Sequence, residues 1–118
     1  MMTLLKSIDS NPTTEPKLVS PAAERVVEGS PSFRVWKQDE DRGGQIRSGV
    51  WEASVGSFRT AKGKSCEFCY ILKGVVELAE EGERPIVYRV GDSFVMKAGF
   101  VGIWKTIEPV RKIFVIVD

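Results

Sequence analysis

Histidine is absent from all 118 residues. That removes the commonest general base and the commonest transition-metal ligand together. Ser-His-Asp and Cys-His nucleophile systems are therefore excluded within one chain. Cysteine occurs only twice, at Cys66 and Cys69. Two are too few for a disulfide scaffold and fit a reducing cytoplasm, where the protein is expected to reside. No apolar run approaches the roughly 18–20 residues that span a membrane. The start of the chain offers only Leu4-Leu5 as an apolar core, against the roughly 7–15 residues of a signal peptide. Neither membrane insertion nor export is expected. An excess of one charge is missing too: 17 basic residues face 16 acidic ones, for a net charge of +1. No segment concentrates Lys and Arg, so nucleic acid is not an expected partner.

The two cysteines stand in the stretch "KSCEFCYILKG", Lys64–Gly74, in a C-x-x-C spacing. In a strand, Cys66 and Cys69 point to opposite faces with Cα atoms ~10 Å apart. A disulfide requires roughly 4.4–6.8 Å, and a zinc tetrahedron requires a second ligand pair that the chain lacks. Neither a redox dithiol nor a zinc site is expected. Gly63-Lys64-Ser65 imitates the tail of a phosphate-binding loop, but Phe58 stands where that loop needs glycine, and a strand follows rather than a helix.

The length is that of one domain. Residues 1–30 hold Pro12, Pro16 and Pro21 among Ser, Thr and Asn and read as a poorly ordered extension, with a short helical turn at 22–27 at most. The domain proper is read as 31–118, where short runs of Val, Ile, Phe, Tyr and Trp alternate with glycine-bearing turns. Strands are predicted at Phe33–Trp36, Ile46–Val55, Glu67–Leu72, Gly74–Leu78, Ile86–Val90, Ser93–Met96, Val101–Thr106 and Lys112–Val117. No helix of three turns is needed. The predicted class is all-β, a jelly roll or small barrel.

Gly56, Glu67, Tyr70-Ile71-Leu72 and Gly74, followed by Gly91-Asp92, Lys97-Ala98-Gly99 and Gly102, match the frame of two motifs. In that frame the chain resembles the cupin superfamily over about residues 31–118. It is most similar to small single-domain cupins related to ureidoglycine aminohydrolase and the ethanolamine-utilisation cupin, through "GVWEASVGSF", "EFCYILKGVVEL", "GDSFVMKAGFVGIW" and "EPVRKIFVIV". The resemblance implies a cupin jelly-roll barrel. It also places the family's metal ligands at Thr60, Lys62, Glu67 and Gly102, of which only Glu67 keeps a ligating group. A metal held by one carboxylate would be weak and unselective, so no metal and no cofactor are expected.

With Glu67 facing inward, alternation puts Cys69 and Ile71 inside and Phe68 and Tyr70 outside. Gly102 and Trp104 share the inward parity, and Trp51 and Met96 are further candidates to line the same cavity. Lys62 can swing inward to pair with Glu67, or remain solvated in its turn. An unpaired Glu67 would have its pKa raised by burial and become a candidate catalytic acid or base. Cys69 lacks a base, and an apolar setting raises a thiol's pKa.

The expected function is a metal-independent cupin that binds a small polar metabolite through Trp104, Trp51, Cys69, Lys62 and Met96. The alternative is an enzyme using Glu67 for acid/base chemistry on a ureide, an amine or a sugar derivative. The ethanolamine-utilisation relatives imply acyl-phosphate or nucleotide chemistry as a third class, for which the chain offers only scattered Arg59, Lys62 and Lys64. Phe33, Val35 and Trp36, with Phe68 and Tyr70, are read as outward-facing. A C2 homodimer using the 31–36 strand is expected.

Overall fold

The computed structural model describes residues 3–118. Among these residues nine strands form one antiparallel sheet that curls over on itself. They are β1 Lys17–Val19, β2 Val26–Gly29, β3 Phe33–Asp41, β4 Ile46–Ala53, β5 Gly56–Ala61, β6 Cys66–Glu80, β7 Ile86–Tyr88, β8 Ser93–Met96 and β9 Val101–Val117. Two single 3-10 turns, at 23–25 and 42–44, are the only helical pieces among the described residues. The all-β jelly-roll prediction holds.

The long strands β6 and β9 pair along their whole length and make the spine. On the far edge of β9, its first half takes β5 and its second half takes β4. On the far edge of β6, β8 pairs with the first half and β7 with the second. The spine bends where the β6–β9 register shifts, around Lys73 to Val76. Gly74 sits there with φ +85°, and a Cβ on it would lie 2.1 Å from the Pro109 carbonyl oxygen. Only glycine permits this approach. The bend sets β1-β3-β4 and the second half of β9 facing β2-β5 and its first half, with the core between.

The sequence divides β6 and β9 into four shorter strands. In the structure they are two, because a bulge bends a strand without ending it. Strand β5 is absent from the prediction: "GSFRTA" has one large apolar residue, and its pairing with β9 is non-local.

Residues 17–19 and 26–29, assigned from sequence to a poorly ordered extension, are edge strands on β3 and β5. Residues 9–14 run along the outer face of β3–β4–β9. Gln38 brackets Asp9, accepting from its N–H at 2.7 Å and donating to its carbonyl at 2.8 Å. Trp36 donates to the Thr14 carbonyl at 2.8 Å, and Arg111 donates to the Asn11 side chain at 2.6 Å. This corrects the reading of Phe33, Val35 and Trp36 as outward surface. Alternation puts 33 and 35 on one face and 36 on the other. Phe33 is buried in the core, Val35 lines the cavity and Trp36 is covered by the N-terminal segment. Phe68 and Tyr70 do face outward and are exposed.

Candidate functional site

Between the two faces of the curled sheet lies a cavity of about 520 Å³. Inward parity on each strand builds its walls. Strand β3 supplies Phe33, Val35 and Lys37; β4 supplies Arg47 and Trp51; β5 supplies Phe58 and Thr60. Glu67 comes from β6, Met96 from β8, and Trp104, Lys112, Phe114 and Ile116 from β9, with Lys62 just after β5 and Lys17 on β1. In cross-strand register Glu67 lies opposite Met96 on one side and Ile116 on the other. Trp51 lies opposite Lys112, and Phe58 opposite Trp104.

Glu67 is the centre of the polar floor, 3% exposed. Its Oε1 accepts from Lys62 Nζ at 2.5 Å and its Oε2 from Lys112 Nζ at 2.7 Å. The Cys69 thiol also donates to Oε2, at 3.3 Å. The Lys112 ammonium lies 4.2 Å from the Trp51 ring centroid and 4.4 Å from that of Trp104. The two indoles meet edge to face at 5.0 Å, and the Trp104 indole N–H donates to Thr106 Oγ1 at 3.0 Å. An ammonium between two indole faces is held by their quadrupoles, so Lys112 is fixed by a carboxylate and two rings.

Burial works to raise the Glu67 carboxyl, but the charges and hydrogen bonds of Lys112 and Lys62 outweigh it, and its pKa falls to about 2. Burial likewise works against the Lys112 ammonium, yet Cys69 and Glu67 more than offset it and the pKa lies above the ordinary lysine value. Burial pushes the Cys69 thiol up to about 12, with Lys112 opposing and Glu67 reinforcing the shift. At neutral pH Cys69 is therefore uncharged, and Glu67 is the counter-charge of Lys112. The floor is an ionised lysine–glutamate–lysine cluster with one excess positive charge.

The cupin frame implies a metal, and the residues do not fit one. Among the described residues no group of three or more His, Cys, Asp or Glu side chains could hold an ion. Both oxygens of Glu67 already accept from ammonium groups, and two cations beside that carboxylate repel a third. At Gly102 a Cβ would come within 2.4 Å of the Ala79 carbonyl oxygen, so no side chain fits at that ligand position.

Of the residues singled out in the sequence, Glu67, Lys62, Trp51, Trp104 and Met96 meet around this cavity. Cys69 lies behind Glu67, fully buried, and does not line it. The conditional rise in the Glu67 pKa does not occur, because the carboxylate is paired twice. Lys112 is the residue that sequence reading missed. Its signal was parity: counted along one continuous β9, it shares the inward face with Gly102 and Trp104. A second cleft of about 860 Å³ flanks β7 and β8. It is larger, but its charged residues Glu80, Glu83, Arg84 and Lys97 are all exposed, and no buried polar cluster faces it.

No helix among the described residues is long and apolar enough to cross a membrane. No curated protein matches the chain. Solved structures do. A DUF861-family protein of unknown function from Pseudomonas syringae pv. tomato superposes with a TM-score of 0.82 at 22% identity, covering 93% of this chain and 46% of that one. The chain thus spans less than half the length of that protein. A DUF861-family protein from Thermotoga maritima is 37% identical over 55% of this chain and 73% of its own, with a TM-score of 0.52. The ethanolamine utilization protein Q (EutQ) of Salmonella typhimurium reaches a TM-score of 0.64 at 15% identity, covering 90% of this chain and 98% of that one. These likenesses carry the cupin jelly-roll fold. The family model for the EutQ-like cupin domain matches residues 40–114, a segment that holds β4 to β8, most of β9 and the whole Glu67 cluster, and the chain belongs to that family.

Proposed function

We propose that this protein binds a small polar metabolite in its barrel without a metal. The observation that carries the reading is the doubly paired Glu67: two ammonium groups occupy the coordination sites of the one ligating residue the cupin frame retains. Aromatic walls with a few convergent polar groups are the usual make-up of a small-molecule site. The rival, acid/base catalysis by Glu67, is disfavoured by the same pairing. A carboxyl with a pKa of about 2 has no proton to give at neutral pH and is a weak base.

The test is metal content after expression with manganese, iron, nickel, copper and zinc supplied. The expected result is far less than one equivalent of each, and no change in Tm on adding a chelator. A stoichiometric metal would overturn the reading and restore metal-dependent chemistry.

The same proposal extends to assembly and location: a cytoplasmic C2 homodimer. The 31–36 strand is not available for it, since its aromatics are covered. Phe68 is flanked across the sheet by Val95 and Val115, and Phe68, Tyr70, Val95 and Val117 are exposed on one outer face. A contiguous apolar face of this kind favours a self-complementary contact. Phe68→Glu is expected to convert a dimer to a monomer in light scattering. Wild-type protein that is monomeric at high micromolar concentration would remove the dimer.

A further inference from the structure

Among the described residues five cationic side chains line the cavity and one carboxylate does. Two of the five have other partners: Arg47 pairs with Asp118 at 2.8 Å and Lys37 with Glu40 at 3.4 Å. Glu67 can neutralise only one of Lys62 and Lys112. Lys17, exposed on the rim, has no acidic partner among the described residues. The cavity therefore holds uncompensated positive charge at its floor and at its mouth.

The two floor lysines differ in what they have left to offer. Lys112 is 4% exposed and covered by Glu67 and two indoles. Lys62 makes one hydrogen bond, to Glu67, of the three its ammonium can donate. Its side chain keeps 16% exposure and lines the cavity beside Thr60, the position two residues before it. Five rings, Phe33, Trp51, Phe58, Trp104 and Phe114, make up most of the remaining wall, along with Val35, Met96 and Ile116. Phe33 packs against Trp51 and against Phe58, both at 4.9 Å between centroids.

Resting on the reading of the barrel as a small-ligand site, we infer that its ligand is an anion with a flat, unsaturated body, a small conjugated or aromatic carboxylate. The carboxylate meets the free donors of Lys62, and Thr60 supplies a hydroxyl next to them. The body lies among the aromatic walls, where offset and edge-to-face contacts favour a planar π-system over a saturated one. Glu67 takes no part in contacting the ligand. It holds Lys62 in place and keeps the site from carrying the full charge of two lysines. An amine ligand is repelled by the same excess charge.

The experiment is titration calorimetry of the full chain with seven probes: benzoate, benzamide, benzylammonium, cyclohexanecarboxylate, inorganic phosphate, glucose and urea, in low and moderate salt. Benzoate is expected to bind most tightly and to weaken as salt screens the site. Lys62→Gln is expected to raise its Kd about 10-fold, the loss of one charge-assisted contact. Lys17→Gln, an exposed change that leaves the fold intact, is expected to raise it by a smaller factor. Equal or tighter binding of benzamide or benzylammonium overturns the charge assignment while leaving a small-ligand site. Tighter binding of cyclohexanecarboxylate or phosphate overturns the flat body. If benzoate gives no heat at millimolar concentration but glucose or urea does, the anion fails and the barrel-ligand reading stands. If none of these binds, both fail.

Discussion

Glu67→Gln is expected to destabilise the protein by about 3–5 kcal/mol, the usual loss when one partner of a buried ion pair is removed. In a domain of this size that is about 10–20 °C in Tm. Gln has nearly the shape of Glu, so packing changes little and the loss is electrostatic. Lys112 would be left buried between Trp51 and Trp104, with an amide in place of its counter-charge. Chemical denaturation at neutral pH measures the difference, and a loss below about 1 kcal/mol would mean that water or rearrangement already solvates the lysine.

The pH dependence of that difference carries a sign. The Glu67 pKa is depressed from 4.5 to about 2, so the folded state holds fewer protons than the unfolded state between those values. Its contribution, on the order of 3 kcal/mol, is fully present above pH 4.5 and is lost as pH falls toward 2. Wild type and Glu67→Gln should therefore converge in stability through that window, because a protonated Glu67 resembles a glutamine. In the variant, Lys112 keeps Cys69 but loses Glu67, the other group that raised its pKa, so burial weighs more heavily against its ammonium. The folded variant therefore holds that proton less tightly than the wild type does, and the stability gap between them should narrow as pH rises through the alkaline range.

Strand alternation made much of this site legible. Glu67-Phe68-Cys69-Tyr70-Ile71 places three residues inside and two outside with no exception, because both edges of β6 are paired there and the register cannot slip. Reading Phe33, Val35 and Trp36 as one surface fails because a strand cannot show adjacent residues on one face. Exposure belongs to alternate positions, not to a segment. Lys112 escapes the sequence for a different reason. Glu108-Pro109 lies between the strands predicted at 101–106 and 112–117 and looks like a break, and parity does not carry across a break. In the structure Pro109 sits beside the Gly74 bulge, where a missing ladder bond is tolerated, and the face carries through to Lys112. The edge strands β1 and β2 have no alternation of their own. They exist because β3 and β5 offer unpaired backbone edges, and nothing local in "KLV" or "VVEG" announces that.

Whether the lysine–glutamate–lysine cluster is there for stability or for the cavity is decided by replacing the buried pair together. Lys112→Met alone is expected to cost about 1–3 kcal/mol, since Glu67 keeps Lys62 as a partner but loses one of two counter-charges. The double variant, Glu67→Gln with Lys112→Met, removes both charges and sets a thioether over the two indoles, a contact that aromatic rings favour. Hydrophobic replacement of a buried ion pair is frequently neutral or stabilising. The double variant is therefore expected to be more stable than Glu67→Gln, and to fall short of the sum of the single losses by at least about 2 kcal/mol. If the double variant also equals or exceeds the wild type in stability, the cluster does no more for the fold than an apolar floor would, and its retention answers to what the cavity receives. With Glu67 gone, Lys62 loses the carboxylate that orients it, so benzoate affinity should drop in the double variant even as its stability recovers. If stability instead falls by the full sum, the two residues act independently, and the ion pair between them contributes nothing to the fold.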